Sequence, residues 1–265
     1  MKLVVLWWNS GFLGCELAKK LLSQNCEVIF IDNLKKYNAN WQHLKKLAEN
    51  KNFTIIDTKD NFNFEKNLNK RPDYIFHLKL IDLYESFNSS ISLSRAYEQV
   101  EIKKYVEWCQ NNGSKFLLAS IESLYEEGFL QLQQLGSDNI DRSIFWQVQD
   151  DVENFLIRAN HQSNLNSRIV RIGDFGGIGL FPGSCGALKR LVLSAIQNES
   201  IILPNDGLDE IYPTHIEDIA FGMIKAMFSQ SSRGKMYALI NKKGTSLSSV
   251  AYLLQKKLGN ISINY

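Results

Sequence analysis

Cysteine is scarce in this chain, and long apolar runs are missing. Four cysteines, Cys15, Cys26, Cys109 and Cys185, are scattered through 265 residues with no Cys-x-x-Cys pair. That spacing argues against a metal centre or a redox dithiol. No apolar run approaches the ~18 residues of a transmembrane helix, so no membrane span is expected. Neither sign of charge dominates: 30 Lys and Arg face 28 Asp and Glu, for a net charge of +2. Such a balance gives no electrostatic case for nucleic acid or a membrane surface as partner. No signal-like segment precedes the first apolar stretch, and a cytoplasmic location is expected. Internal repeats and low-complexity linkers are absent as well.

What the chain does have is alternation. Short apolar runs at Leu3–Leu6, Glu27–Ile31, Phe53–Ile56, Tyr74–Leu78, Lys115–Ala119 and Arg168–Ile172 read as strands. Helical spacing appears near Leu13–Leu22, Trp41–Glu49, Phe64–Leu68, Ser94–Cys109 and Phe145–Ala159. Continuous apolar strands separated by helices predict a parallel sheet covered on both faces. The crossover rule makes it a doubly wound, Rossmann-type α/β sheet of about seven strands. The rhythm changes after Gly173, where "FGGIGLFPGSCG" reads as a loop. Beyond it, helices near Leu188–Gln197, Ile216–Met227 and Leu247–Leu258 alternate with strands Ile201–Leu203 and Met236–Ile240. The expected division is a dinucleotide-binding-type domain over 1–173 and a small substrate-type α/β lobe over 174–265 packed on the same core at the C-terminal edge of the sheet, with 45% apolar residues supplying that core.

The stretch "VVLWWNSGFLGCELAKKL" holds a strand, a glycine turn and a helix, the usual entrance to a dinucleotide-binding unit. Further landmarks follow in order: "VIFIDNL", "IIDTKD", "YIFHL", "KFLLASIESLY", "RIVRIGDFGG", "YPTHIEDIA" and "GKMYALINKKGTSLSSVAYLLQKKLG". Single motifs are unspecific, but in this order and over essentially the whole chain they resemble the extended short-chain dehydrogenase/reductases, the NAD-dependent sugar epimerase/dehydratase group. "VIFIDNL" resembles that family's second strand in the form seen in UDP-galactose epimerases.

The resemblance implies a reaction that begins with hydride transfer between a sugar carbon and nicotinamide. A Tyr acts as acid/base, a Lys four residues later lowers its pKa and binds the ribose, and a Ser or Thr holds the reacting oxygen. Aligning the family's following Glu with Glu153 puts Phe145 at the Tyr position and Gln149 at the Lys position. Anchoring on Tyr125 puts Ile121 at the Ser/Thr position, with Ser120 beside it. None of the three supplies the family chemistry, so no catalytic residue is assigned. Tyr252 and Lys256 alone have the Tyr-x-x-x-Lys spacing, far along the chain in the last helix. Tyr125 reads either as a structural tyrosine or as a replacement base.

On the cofactor side the resemblance implies NAD, held by Gly11, Phe12, Leu13 and Gly14 at the turn, Asp32 and Asn33 at the second strand, and Asp57 and Lys79 at the next two. Asp32 would accept from the ribose hydroxyls and disfavour a 2′-phosphate; alternatively it is a turn residue. Lys79 would reach a phosphate or plug the site. Trp8 stands at the first glycine position. Its indole is expected to cover the helix N-terminus where pyrophosphate binds, which makes NAD binding doubtful.

The expected function is a catalytically degenerate relative of the nucleotide-sugar epimerases/dehydratases, binding a nucleotide sugar, another small ligand or a partner. The alternative is an active NAD(P)-dependent enzyme of that type with non-standard residues. A homodimer is expected through helices 94–109 and 145–159, which carry Tyr105, Trp108 and Trp146.

Overall fold

The computed structural model describes residues 1–7, 11–32, 41–58, 68, 70–80, 92, 101–122, 143–163, 165–177, 187–259 and 261–265. Trp8, Asn33, Tyr125 and Cys185 lie outside these residues, as do 64–67 of the expected third helix and 94–100 of the fourth.

Seven parallel strands form the central sheet. They are β1 (Leu3–Trp7), β2 (Glu27–Asp32), β3 (Phe53–Asp57), β4 (Tyr74–His77), β5 (Lys115–Ile121), β6 (Ser167–Ile172) and the late strand Met236–Leu239. In space that late strand comes first, followed by β6, β5, β4, β1, β2 and β3. Register is set by apolar pairs such as Val4 opposite Val28 and Leu6 opposite Phe76. All five residues of β1 are buried, as a strand covered by helices on both faces requires. Each such side chain is worth roughly 1.5–3 kcal/mol on burial.

Helix α1 (Phe12–Ser23) buries Leu13, Leu17 and Leu21, and Gly14 and Ala18 beside them, the helical spacing the sequence carries. The neighbouring helices are α2 (Trp41–Ala48), α3 (Ile102–Asn112) and α4 (Ser143–Gln162). On α3, Tyr105 is only 4% exposed. Its ring lies 4.6 Å from Trp7 and 5.5 Å from His77. Tyr105 therefore faces the core rather than a partner, because the apolar stripe of α3 is Ile102, Tyr105, Val106 and Cys109.

The C-terminal third divides between two cores. Strand β7 (Phe175–Gly176) is followed by α5 (Ala187–Ile196), β8 (Ile201–Ile202), β9 (Glu210–Ile211) and β10 (Thr214–His215). Then come α6 (Ile216–Phe228), β11 (Met236–Leu239), β12 (Thr245–Ser246), α7 (Leu247–Leu258) and β13 (Ile263–Asn264). Leu191, Ala195, Ile201, Leu203, Ile211, Leu247, Ala251 and Ile261 form a small core of their own. By contrast, Ile219, Ala220, Met223 and Met227 of α6 belong to the main core. Strand β11 pairs with β6. The C-terminal third therefore contributes to both cores, with α6 packed on the main sheet and β11 paired with β6 at its edge.

Gly207 ties down the small core. Its φ is +69°, and a Cβ there would lie 2.9 Å from Leu203 Cδ1 and 2.9 Å from Ser248 Cβ, so only glycine suits both the left-handed backbone and the close approach.

Candidate functional site

Doubly wound sheets bind ligands at the carboxyl ends of their strands, where the strand order reverses. Here the reversal falls at β1, which pairs with both β2 and β4. The residues singled out in the sequence gather along this edge. Gly11 is the extended N-cap of α1, and the helix has no acidic residue in its first turn. Its leading N–H groups are thus suited to an anion. Asp32 ends β2 at 2% exposure, opposite Asp57 on β3. Lys79 follows β4 at 8% exposure, enclosed rather than reaching into solvent.

The segment after β6 closes on the same place. Phe12 stacks on Phe175 with ring centroids 6.4 Å apart. A Cβ on Gly177 would lie 2.7 Å from Ile216 Cγ2 and 3.3 Å from the Phe12 ring. This close approach needs glycine, and it packs the β6 loop against the start of α1.

Gln149 is 2% exposed on α4. Its amide nitrogen donates to the Ile121 carbonyl at 2.9 Å, and its amide oxygen accepts from the Ile121 N–H at 3.3 Å. The residue expected at the family's lysine position thus forms a two-point clamp on the end of β5. Ile121 itself is 8% exposed and contributes only backbone polarity. Phe145 lies one turn earlier on the same helix.

One turn further on, Glu153 organises a buried polar cluster. Its carboxylate accepts from Ser120 Oγ at 2.6 Å. It also accepts from Arg171 Nε at 3.1 Å and Nη2 at 2.6 Å. The hydrogen bond to Glu153 raises the Arg171 pKa further. Each oxygen of the carboxylate has a partner, as a nearly buried charge demands. Ser120 is consequently engaged with Glu153, one residue from Ile121, the position expected from the resemblance to carry a hydroxyl.

Sequence reading missed Asp174, two residues beyond β6. Its carbonyl accepts from the Thr214 N–H at 2.9 Å. Burial pushes its carboxyl up from 3.8 to about 6, since desolvation disfavours the charged form. No pattern in "RIGDFGG" signals this, because the enclosure comes from β10 and β11, distant in sequence. A measurable consequence follows from proton linkage. Below pH about 4 Asp174 is protonated in both folded and unfolded chains. Between about 4 and about 6 the unfolded chain ionises first and stability falls as pH rises; above about 6 the penalty is constant. Asp174→Asn should therefore stabilise the fold by about 1–3 kcal/mol at pH 7.5 and by nothing at pH 3.5, as read by urea unfolding at the two pH values.

Among the described residues no group of three or more His, Cys, Asp or Glu could hold a metal, and no helix is long and apolar enough to cross a membrane.

The model of the NAD-dependent epimerase/dehydratase family matches residues 9–239. No curated protein matches the chain in sequence. Among solved structures, UDP-glucuronic acid 4-epimerase from Bacillus cereus, in complex with UDP-glucuronic acid and NAD, is 19% identical with a TM-score of 0.77, over 100% of this chain and 85% of that one. UDP-N-acetylglucosamine 4-epimerase from Methanobrevibacter ruminantium M1, in complex with UDP-N-acetylmuramic acid, is 18% identical with a TM-score of 0.75, over 100% and 84%. The Bordetella bronchiseptica enzyme WbmF in complex with NAD+ is 18% identical with a TM-score of 0.75, over 98% and 79%. At such identities the likeness establishes a shared fold.

Proposed function

The chain belongs to the NAD-dependent epimerase/dehydratase family, and from that premise we propose that it keeps the family's ligand crevice but not its acid–base chemistry, acting as a binding protein for a nucleotide, a nucleotide sugar or a protein partner. The observation that carries this reading is Gln149. A residue clamped to both polar groups of Ile121 has neither the charge to stabilise a phenolate nor the freedom to reach a ribose. Phe145, at the tyrosine position, has no proton to transfer.

The crevice residues fit part of NAD. The N-terminus of α1 suits the pyrophosphate, and Asp32 at the end of β2 suits the adenosine ribose. When bound, NAD supplies a hydride acceptor. Gly11 to Gly14 would hold it, with Asp57 and Lys79 along the same edge. Trp8 opposes this fit by its place in the sequence, since the first glycine position serves a tight turn beside the pyrophosphate and an indole is far bulkier than a hydrogen. A homodimer through helices 94–109 and 145–159 belongs to the same reading, with Trp108 and Trp146, both partly buried against the core, as its aromatic contacts.

Calorimetric titration of NAD into the unmodified protein and the Trp8→Gly variant tests the reading. Weak or absent binding is expected for the first and at least tenfold tighter binding for the second, with no turnover of UDP-glucose by either. Tight NAD binding by the unmodified protein would remove the Trp8 argument. Turnover would remove the non-catalytic reading.

One observation favours a second reading, catalysis with a replacement group. Asp174 combines enclosure with a pKa of about 6, suited to general acid–base work near neutrality. If turnover is found, this reading requires a pH limb near 6 that disappears in Asp174→Asn.

A further inference from the structure

The edge of the sheet opposite the crevice carries a row of cations. Along five adjacent strands, in the order β11, β6, β5, β4 and β1, the amino ends present Lys235, Arg168, Lys115, Tyr74 and Lys2. The Lys2 ammonium lies 4.3 Å from the centre of the Phe228 ring and 5.3 Å from that of Tyr74. The Lys115 ammonium lies 5.5 Å from the same Tyr74 ring. Tyr74 and Phe228 pack against each other at 4.7 Å. The two lysines thus flank one aromatic base. Arg168 lies beneath the row at 1% exposure. Among the described residues it donates to uncharged groups: Ser232 Oγ, the carbonyl and side-chain oxygens of Asn166, and Met227 Sδ.

Among the described residues this positive charge has no ion-pair partner. Among the described residues, no carboxylate comes within 4.0 Å of Lys2, Lys115, Arg168 or Lys235. The nearby Asp73 carboxylate accepts from the Leu3 N–H at 2.8 Å. Burial and the neighbouring Arg168 and Lys2 lower the Lys115 pKa, which records mutual repulsion across the row. An external anion would relieve it.

We propose that this amino edge is a docking surface for an acidic segment of a partner protein. With strands about 4.8 Å apart, the four gaps from β11 to β1 span roughly 19 Å, about six residues of extended peptide. That is far longer than one phosphate. Three accessible lysines above a buried arginine, on an otherwise balanced chain, are few for nucleic acid, whose specific binders often neutralise about 6–10 phosphates. The half-buried Phe228 ring, packed over buried Tyr74, would take the methylene groups of glutamates, while Lys2 and Lys115 take the carboxylates. The surface is separate from the crevice and does not depend on whether the crevice is catalytic.

The test is fluorescence anisotropy with a labelled deca-glutamate peptide and, in parallel, a labelled ten-nucleotide DNA strand. The full-length protein should bind the peptide, more weakly as salt rises, and at least tenfold more tightly than the DNA. The K2Q/K115Q variant should lose at least tenfold in peptide affinity, and K2R/K115R should retain it. Should the double variant unfold, Lys2→Gln alone, at an exposed position, is expected to lose about threefold. No peptide binding by the unmodified protein, equal binding by the glutamine variants, or DNA binding as tight as peptide binding would each overturn the proposal, the last in favour of nucleic acid.

Discussion

Glu153→Ala should cost the fold about 3–5 kcal/mol, a large part of the total stability of a typical domain. The reason lies in what remains. Glu153 is the counter-ion of Arg171, whose side chain is 24% exposed while that of Glu153 is 4% exposed. Removing the carboxylate strands a guanidinium at the end of β6 and leaves Ser120 Oγ without its 2.6 Å acceptor. Partial access of water to Arg171 argues for the lower end of the range. Urea unfolding reads the effect. The R171M/E153A double variant should be less destabilised than E153A alone, because it removes the orphaned charge together with its partner. A cost under about 1 kcal/mol for E153A would mean that the cluster does not hold β5, β6 and α4 together.

How much of this was legible in the sequence depends on distance along the chain. The strands of the main sheet were readable because a strand buried on both faces leaves an uninterrupted apolar run, as in Leu3–Trp7. The crevice edge was readable for the same reason: once parallel strands are known, Gly11, Asp32, Asp57 and Lys79 must share their carboxyl ends. The destination of β11 was not legible. Its residues, Met236 to Leu239, look the same whether the strand joins a small lobe or the edge of the large sheet, and only the packing of α6 against α1 and β6 decides. Tyr105 could be placed on a helix from its spacing, yet its direction depended on Trp7 and His77 from other strands. Gln149 and Glu153 stand one turn apart in sequence, which put them on one face. Their partners, Ile121, Ser120 and Arg171, come from two strands at either side in sequence. The enclosure of Asp174 is wholly a tertiary effect and left no local mark.

Gln149→Lys, which introduces the residue expected there from the family resemblance, should destabilise this protein by about 2–4 kcal/mol. Gln149 has both a donor NH2 and an acceptor oxygen, and Ile121 engages each of them. A lysine has donors only. It can replace the bond to the Ile121 carbonyl but leaves the buried Ile121 N–H unsatisfied, which costs about 1–3 kcal/mol. It also places an ammonium at a position 2% exposed, where desolvation opposes the charged form. For a chain of this size the sum corresponds to a melting temperature lower by roughly 5–15 °C, measurable by calorimetry. Saturating NAD separates two origins of the loss. If the lysine finds a ribose in the crevice, the nucleotide should recover part of the lost stability by mass action, ~2.7 kcal/mol at one hundred times its dissociation constant. If the crevice does not admit NAD, the loss should persist unchanged. A Q149K variant as stable as the native chain without any ligand would mean that the amide clamp on β5 is dispensable and that the site still has room for a cation, and the case against catalysis would then rest on Phe145 and Ile121.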